Sequence, residues 1–240
     1  MKRKGISQEA LKLIACLTML VDHIAAAMAM DYDLYMRMGP QLYLVLRGIG
    51  RVAFPIYCFL MAEGAHHTRS PGRYALRLLV GAVLSEIPFD LALFGGISWA
   101  HQSVMVTLLL GCLMMVGMDS FPGFWKLLAI PPFYGIAEFL GTDYGGNGIL
   151  LIAMLALTWG LPREKLWRTL GFVVCLWFGP GVQIGTMDIP MELFGLIALI
   201  PMFLYDGKKL TRSKWVQWSF YLFYPAHLLI LWLIDKLLIG

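Results

Sequence analysis

Apolar runs of bilayer-crossing length, separated by short polar or basic interruptions, continue from Leu11 to Leu238. No other feature constrains the fold as much, because about 20 apolar residues are what an α-helix needs to cross the hydrocarbon layer. Only 14% of the 240 residues are charged and 59% are hydrophobic, against about 25% charged in a soluble domain. The expected fold is all-α: a polytopic membrane bundle of about nine transmembrane helices, range about eight to ten. It is expected to form a single transmembrane domain over residues 1–240, with no room for a soluble domain. Lys2-Arg3-Lys4 ahead of an apolar run resembles a signal peptide. No small-residue cleavage site stands out, so the run is kept as the first helix.

In order, the first helix is expected at about Leu11–Met30, followed by a polar turn at Asp31–Gln41. The second, about Leu44–Ala65, carries Arg47, Arg51, Pro55 and Glu63. A basic loop, His66–Arg77, leads to the third, about Tyr74–Phe94, with Glu86, Pro88 and Asp90. The fourth spans about Ser103–Met118. The fifth, about Phe124–Leu140, is broken by Pro131-Pro132, because proline removes a backbone donor and favours a kink. After the turn DYGGNG come helices at about Ile149–Trp159, Leu170–Ile184, Met191–Tyr205 and Trp215–Leu238. No internal repeat is visible, which argues against the duplicated architecture of many transporters.

The basic residues collect in alternate interruptions. These are Lys2, Arg3, Lys4 and Lys12; Arg69, Arg73 and Arg77; Lys126; Arg163, Lys165 and Arg168; and Lys208, Lys209, Arg212 and Lys214. Of the 19 Lys and Arg, that leaves Arg37, Arg47, Arg51 and Lys236. Cytoplasmic loops carry such an excess, so a cytoplasmic N-terminus and an outside C-terminus are expected. The net charge of +4 reflects this loop bias, and basics are not interleaved with aromatics, so no nucleic-acid partner is expected. Cys16, Cys58, Cys112 and Cys175 fall in apolar segments without metal-ligand spacing, so neither a disulfide framework nor a metal site is expected.

Against this apolar background the stretch KLIACLTMLVDH, Lys12 to His23, stands out. Eleven residues of helix rise about 16 Å in close to three turns, which puts Lys12 and His23 on one face. His23, Glu86 and His227 each lie about twelve residues from the cytoplasmic end of their helix, hence near mid-depth. Ionisable groups at that depth are costly when they face lipid and are expected to surround a wet cavity. That makes His23 a general-base candidate, Asp22 or Glu86 its orienting carboxylate, and Arg51 a cation for developing negative charge. Asp22 points about 100° from His23, so Glu86 from another helix is an equal candidate for orienting it.

Each residue also has a plainer reading. His23 can be interhelical glue, and Arg51 can pair with Glu63 or Glu86 to fix helix register. Asp90 shares a face with Glu86. His227, after Tyr224-Pro225, can satisfy a carbonyl freed by the proline. Glu63 is expected to reach water and Glu192 to sit at the outer interface. A binding role for Asp143 or Asn147 in the DYGGNG turn is the lesser expectation beside ordinary turn chemistry. Arg69, Arg73 and Arg77 in the basic loop suit phosphate, since each guanidinium offers a bidentate fork.

Several motifs carry a resemblance in order along nearly the whole chain. They are LVDHI (Leu20–Ile24), GRVAFPIYCFLMAEGAHHTR (Gly50–Arg69), SEIPFDL (Ser85–Leu91), DYGGNG (Asp143–Gly148), LYDGKK (Leu204–Lys209) and FYPAHLLIL (Phe223–Leu231). Together they resemble the TraX family, whose best-known member is implicated in N-terminal acetylation of a conjugative pilin. TraX-like proteins are in turn similar to the acyltransferase-3 proteins and heparan-α-glucosaminide N-acetyltransferase. That wider group has Arg or Lys, ten residues, then a catalytic His on the first helix, which falls here on Lys12 and His23. Ser103 stands where Asn is expected before the next apolar pair.

The resemblance implies a multi-pass acetyltransferase of the bacterial inner membrane. Acetyl-CoA would be the donor, and the acceptor an amine or hydroxyl on a pilin-like membrane protein, a small amine or an envelope glycan. Lys12, Arg69 and Arg73 would hold the nucleotide phosphates, with the pantetheine arm beside the first helix. His23 would be the base, Asp22 or Glu86 its orienter and Arg51 the oxyanion partner; Asp90, His227 and Tyr224 would face the acceptor. An acetyl-His intermediate is an alternative route, and an oligomer is compatible with all of this. Two rival classes use the same buried polar residues: a proton-coupled transporter or flippase, and a non-catalytic membrane assembly factor.

Overall fold

The computed structural model describes residues 5–177, 181–184, 187–211 and 213–238. Lys2, Arg3, Lys4 and Arg212 of the basic clusters lie outside these residues. The described chain is a helical bundle with one short β-hairpin.

Helix α1, Gln8–Met28, starts where the Ser7 hydroxyl accepts the Ala10 N–H at 3.2 Å, an N-cap that satisfies one of the free donors of the first turn. The expected polar turn instead contains a short helix, α2 (Tyr32–Met38), capped by the Asp31 carboxylate on the Leu34 N–H at 2.8 Å. Gly39, at φ 78°, breaks it from α3, Pro40–Gly50. The turn at Arg51–Val52 then leads into α4, Ala53–His67. Helix α5, Pro71–Phe94, has proline in its first turn, where no donor is missed, and ends at Gly95 in the left-handed region.

Helix α6 is Val104–Met118. The expected break near Pro131-Pro132 lies just upstream of them: a 3-10 turn, Gly123–Ala129, passes into α7, Ile130–Phe139. The prolines sit in the first turn of α7, so they begin a helix and do not kink one. Helices α8, Gly145–Thr158, and α9, Glu164–Trp177, follow.

The helix expected to reach Ile184 stops short. Strands β1, Gly181–Ile184, and β2, Met187–Pro190, pair antiparallel with Gly181 opposite Pro190. Gly179-Pro180-Gly181 in the sequence opposes helix continuation, since glycine is entropically costly and proline lacks the N–H. The expected Met191–Tyr205 helix is a 3-10 segment, Met191–Ala198, followed by α10, Leu199–Leu204. Helix α11 is Lys214–Leu238.

Among the described residues, three helical runs are long and apolar enough to cross a membrane: Gln8–Met28, Pro40–His67 and Trp215–Leu237. Val104–Met118, Gly145–Thr158 and Met191–Leu204 are shorter apolar helices. At one end of the bundle the start of α1 meets the end of α10: the Ile6 N–H donates to Leu204 O at 2.8 Å and the Gln8 N–H to Lys208 O at 2.9 Å. Glu63, at the end of α4, joins the same end. It is only 8% exposed and accepts the Tyr205 hydroxyl at 2.9 Å, so it is buried here and does not reach freely into water. At the other end the Asp143 N–H donates to Gln102 O at 2.8 Å, tying the start of α6 to the turn before α8.

Candidate functional site

Helices α1 and α11 place His23 and His227 side by side. His23 Nδ1 lies 2.6 Å from His227 Nε2, and both residues are buried. His227 Nδ1 lies 2.6 Å from the Phe223 carbonyl oxygen. A carbonyl oxygen only accepts, so His227 Nδ1 carries its proton. With both rings neutral, His227 Nε2 is then the acceptor and His23 Nδ1 the donor. The remaining ring nitrogen, His23 Nε2, keeps its lone pair and is the basic atom of the pair. The Tyr224 ring flanks both imidazoles, with centroids 5.9 Å from His23 and 5.8 Å from His227.

The group in contact with His23 Nδ1 is therefore an imidazole, where a carboxylate was expected. Glu86 accepts both the N–H and the hydroxyl of Ser103, the latter at 2.6 Å, and holds the start of α6. Asp22 serves two arginines: Arg47 Nη1 at 2.8 Å and Arg51 Nη2 at 3.9 Å. Asp90 accepts the Ser98 N–H at 2.9 Å and closes the turn after α5. The carbonyl that His227 satisfies is that of Phe223; the one deprived of its helical donor by Pro225 belongs to Tyr221.

Arg51 is the hub of the ionic cluster. Its Nη1 donates to the Tyr144 hydroxyl at 3.0 Å, and its Nε lies 3.7 Å from Glu192 Oε1. Its partners are thus Asp22 and Glu192, not Glu63 or Glu86, and Glu192 sits inside the bundle with its side chain 15% exposed. Buried charges persist only when paired. Here the short contacts are Arg47 to Asp22 and Arg51 to Tyr144, while Asp22 Oδ1 and Arg51 Nε are buried without a hydrogen-bond partner among the described residues. Tyr144, at φ 70°, occupies the left-handed region and stacks on Phe54 with centroids 3.7 Å apart. The DYGGNG turn thus carries a ligand of the hub, which its glycine content alone did not show.

Beside these groups is a cavity of about 360 Å³, within the size range of small-ligand sites. Asp22, His23, Arg47, Arg51 and Asp143 form its polar side. Ala29, Met30, Tyr43, Leu93 and Phe94 form an apolar side at the ends of α1 and α5 and the start of α3. This is the end away from Lys12. Lys12 lies over the Phe220 ring at 5.3 Å, and Arg69 in the α4–α5 loop and Arg73 in the first turn of α5 are exposed. None of these three lines the cavity. The structure thus brings together His23, His227, Tyr224, Asp22 and Arg51, and separates them from Lys12 by roughly the 16 Å of helix between Lys12 and His23.

Comparison with known proteins covers nearly all of the chain. The family model described as TraX protein matches residues 7–235. A probable fimbrial assembly protein, FimC of serogroup H1, from Dichelobacter nodosus, is 28% identical over 236 residues, covering 92% of each chain. No solved structure matches the chain. The matched span contains the paired imidazoles, the arginine hub and the cavity beside them, and on that match the chain belongs to the TraX family.

Proposed function

We propose that this chain is a membrane-embedded acyltransferase that moves an acetyl group from acetyl-CoA to an amine or hydroxyl, with His23 as general base. The observation that carries the reading is the chain Phe223 carbonyl, His227, His23, which leaves a basic nitrogen on a ring that lines a cavity. In the proposed step His23 Nε2 takes the acceptor's proton as the acceptor attacks the thioester carbonyl. The new N–C or O–C bond forms, and the oxyanion develops near the Arg51 guanidinium. Collapse breaks the C–S bond, and the departing thiolate takes the proton back from His23. In this reading His227, expected from sequence to face the acceptor, also holds the His23 tautomer.

The acceptor is proposed to arrive through the cavity and the donor at Lys12, Arg69 and Arg73. By the loop-charge rule that rim faces the cytoplasm of a bacterial inner-membrane protein. The name of the Dichelobacter relative, a probable fimbrial assembly protein, supports a pilin-like membrane protein as acceptor. The same name favours one other reading, a non-catalytic assembly factor in which the Arg51 cluster is interhelical glue. Membranes carrying His23→Ala, incubated with labelled acetyl-CoA, separate the two. Loss of label transfer with unchanged protein level is expected; transfer at the wild-type rate removes His23 from the mechanism.

A further inference from the structure

We infer that Cys16 and Tyr57 latch shut, in this conformation, the seam between α1, α4 and α11 along which the donor's acyl-carrying arm would run beside α1. The inference rests on the acyl-transfer reading and adds a gate to it. Lys12, Cys16, Met19 and His23 lie at positions i, i+4, i+7 and i+11 of α1, one face of the helix. Their partners follow the same line. Lys12 lies over Phe220 of α11, Cys16 Sγ is 3.1 Å from the Tyr57 hydroxyl of α4, and His23 bonds His227 of α11. Phe220 and His227 are seven residues apart and share a face of α11.

This line joins the basic rim to the basic nitrogen by the straight route, and it is filled. Cys16 is 3% exposed and Met19 6%. The large cavity lies past His23, on the side of Ala29, Met30 and Phe94. A thioester presented at the rim cannot reach His23 until the seam parts. The contact that closes it is of a weak kind, because a thiol is a poor donor and a poor acceptor. Met19 is unbranched and adaptable, which lets it yield to a thin chain. When the seam opens, the Tyr57 hydroxyl is freed to hydrogen-bond an amide of the arm.

The test uses the full-length protein in membranes with Cys58, Cys112 and Cys175 replaced by Ala, leaving Cys16 as the thiol read by N-ethylmaleimide and mass spectrometry. Slow alkylation is expected, with Tyr57→Phe raising the rate roughly 3- to 10-fold, the equivalent of one weak hydrogen bond. Tyr205→Phe, at the bundle end, should leave the rate unchanged. Desulfo-CoA, which carries the arm without a thiol, should slow the raised rate, whereas adenosine 3′,5′-bisphosphate, which lacks the arm, should not. A Tyr57→Phe rate equal to the parent, or equal effects of the two nucleotides, overturns the latch. Acetyl transfer measured in the same membranes keeps the two readings apart. Persistent transfer with Cys16 indifferent to the arm rejects the latch and leaves the chemistry standing. Protection by desulfo-CoA without any transfer supports the seam and rejects the chemistry.

Discussion

His23 and His227 are 204 positions apart in sequence, yet their rings lie parallel within 3° and are bridged by a 2.6 Å contact. The direction of that bridge is fixed from outside the pair, by the Phe223 carbonyl on the far nitrogen of His227. A backbone acceptor on α11 therefore decides which nitrogen of α1's imidazole is basic.

His227→Ala is expected to lower acetyl transfer by about 10²-fold, a typical value for a disturbed general base. His227→Gln, whose side-chain carbonyl can still accept from His23 Nδ1, should recover a good part of it. The pH–rate profile gives the sharper reading. Losing the acceptor lets His23 change tautomer, so its apparent pKa should move in the Ala variant and stay near the parent's in the Gln variant. A role for His227 in packing alone predicts lower protein yield with an unmoved profile.

Gly50→Ala should be costly. A methyl there would collide with the Asp22 side chain, forcing α1 and α3 apart where Asp22 reaches its arginines. Overpacking of this kind costs about 1–3 kcal/mol, to be read as a drop in melting temperature in detergent. Gly72→Ala, with nothing within 4 Å, should melt like the parent.

Glu86→Ala should act on stability through Ser103. It leaves the Ser103 N–H and hydroxyl without their acceptor, a loss of about 1–3 kcal/mol for buried donors. Thermal unfolding should fall while the pH–rate profile keeps its shape. A shifted profile would restore Glu86 as the group that orients His23.

Acid should loosen the contact between the start of α1 and the loop after α10. The side chain and the backbone N–H of Lys208 hold the Asp206 carboxyl below its usual 3.8. A depressed carboxylate stabilises the fold above its unfolded value and loses that contribution as pH falls through the folded one. Amide-exchange protection at Ile6 and Gln8, which bond to Leu204 and Lys208, should therefore drop below about pH 4. Asp206→Asn should show the reduced protection already at neutral pH.

What the sequence determined by itself is the helical, apolar character of the chain and the residues that do not belong in hydrocarbon. Run length and the scarcity of charge forced helices, and a buried ionisable residue such as His23 or Arg51 had to find polar company. Which company it found was a tertiary decision. Glu86 and His227 were both credible neighbours of His23 at the same estimated depth, and only the packing of α11 against α1 chose between them. Glu192 and Tyr144 were hidden for the same reason: helical depth can be counted along a chain, but the angle at which one helix meets another cannot. The hairpin after α9 had a local cue in Gly179-Pro180-Gly181, set among apolar residues that equally suit a helix. The side on which the cavity opens, away from Lys12, had no sequence cue, because an empty volume belongs to the space between helices and to no residue in particular.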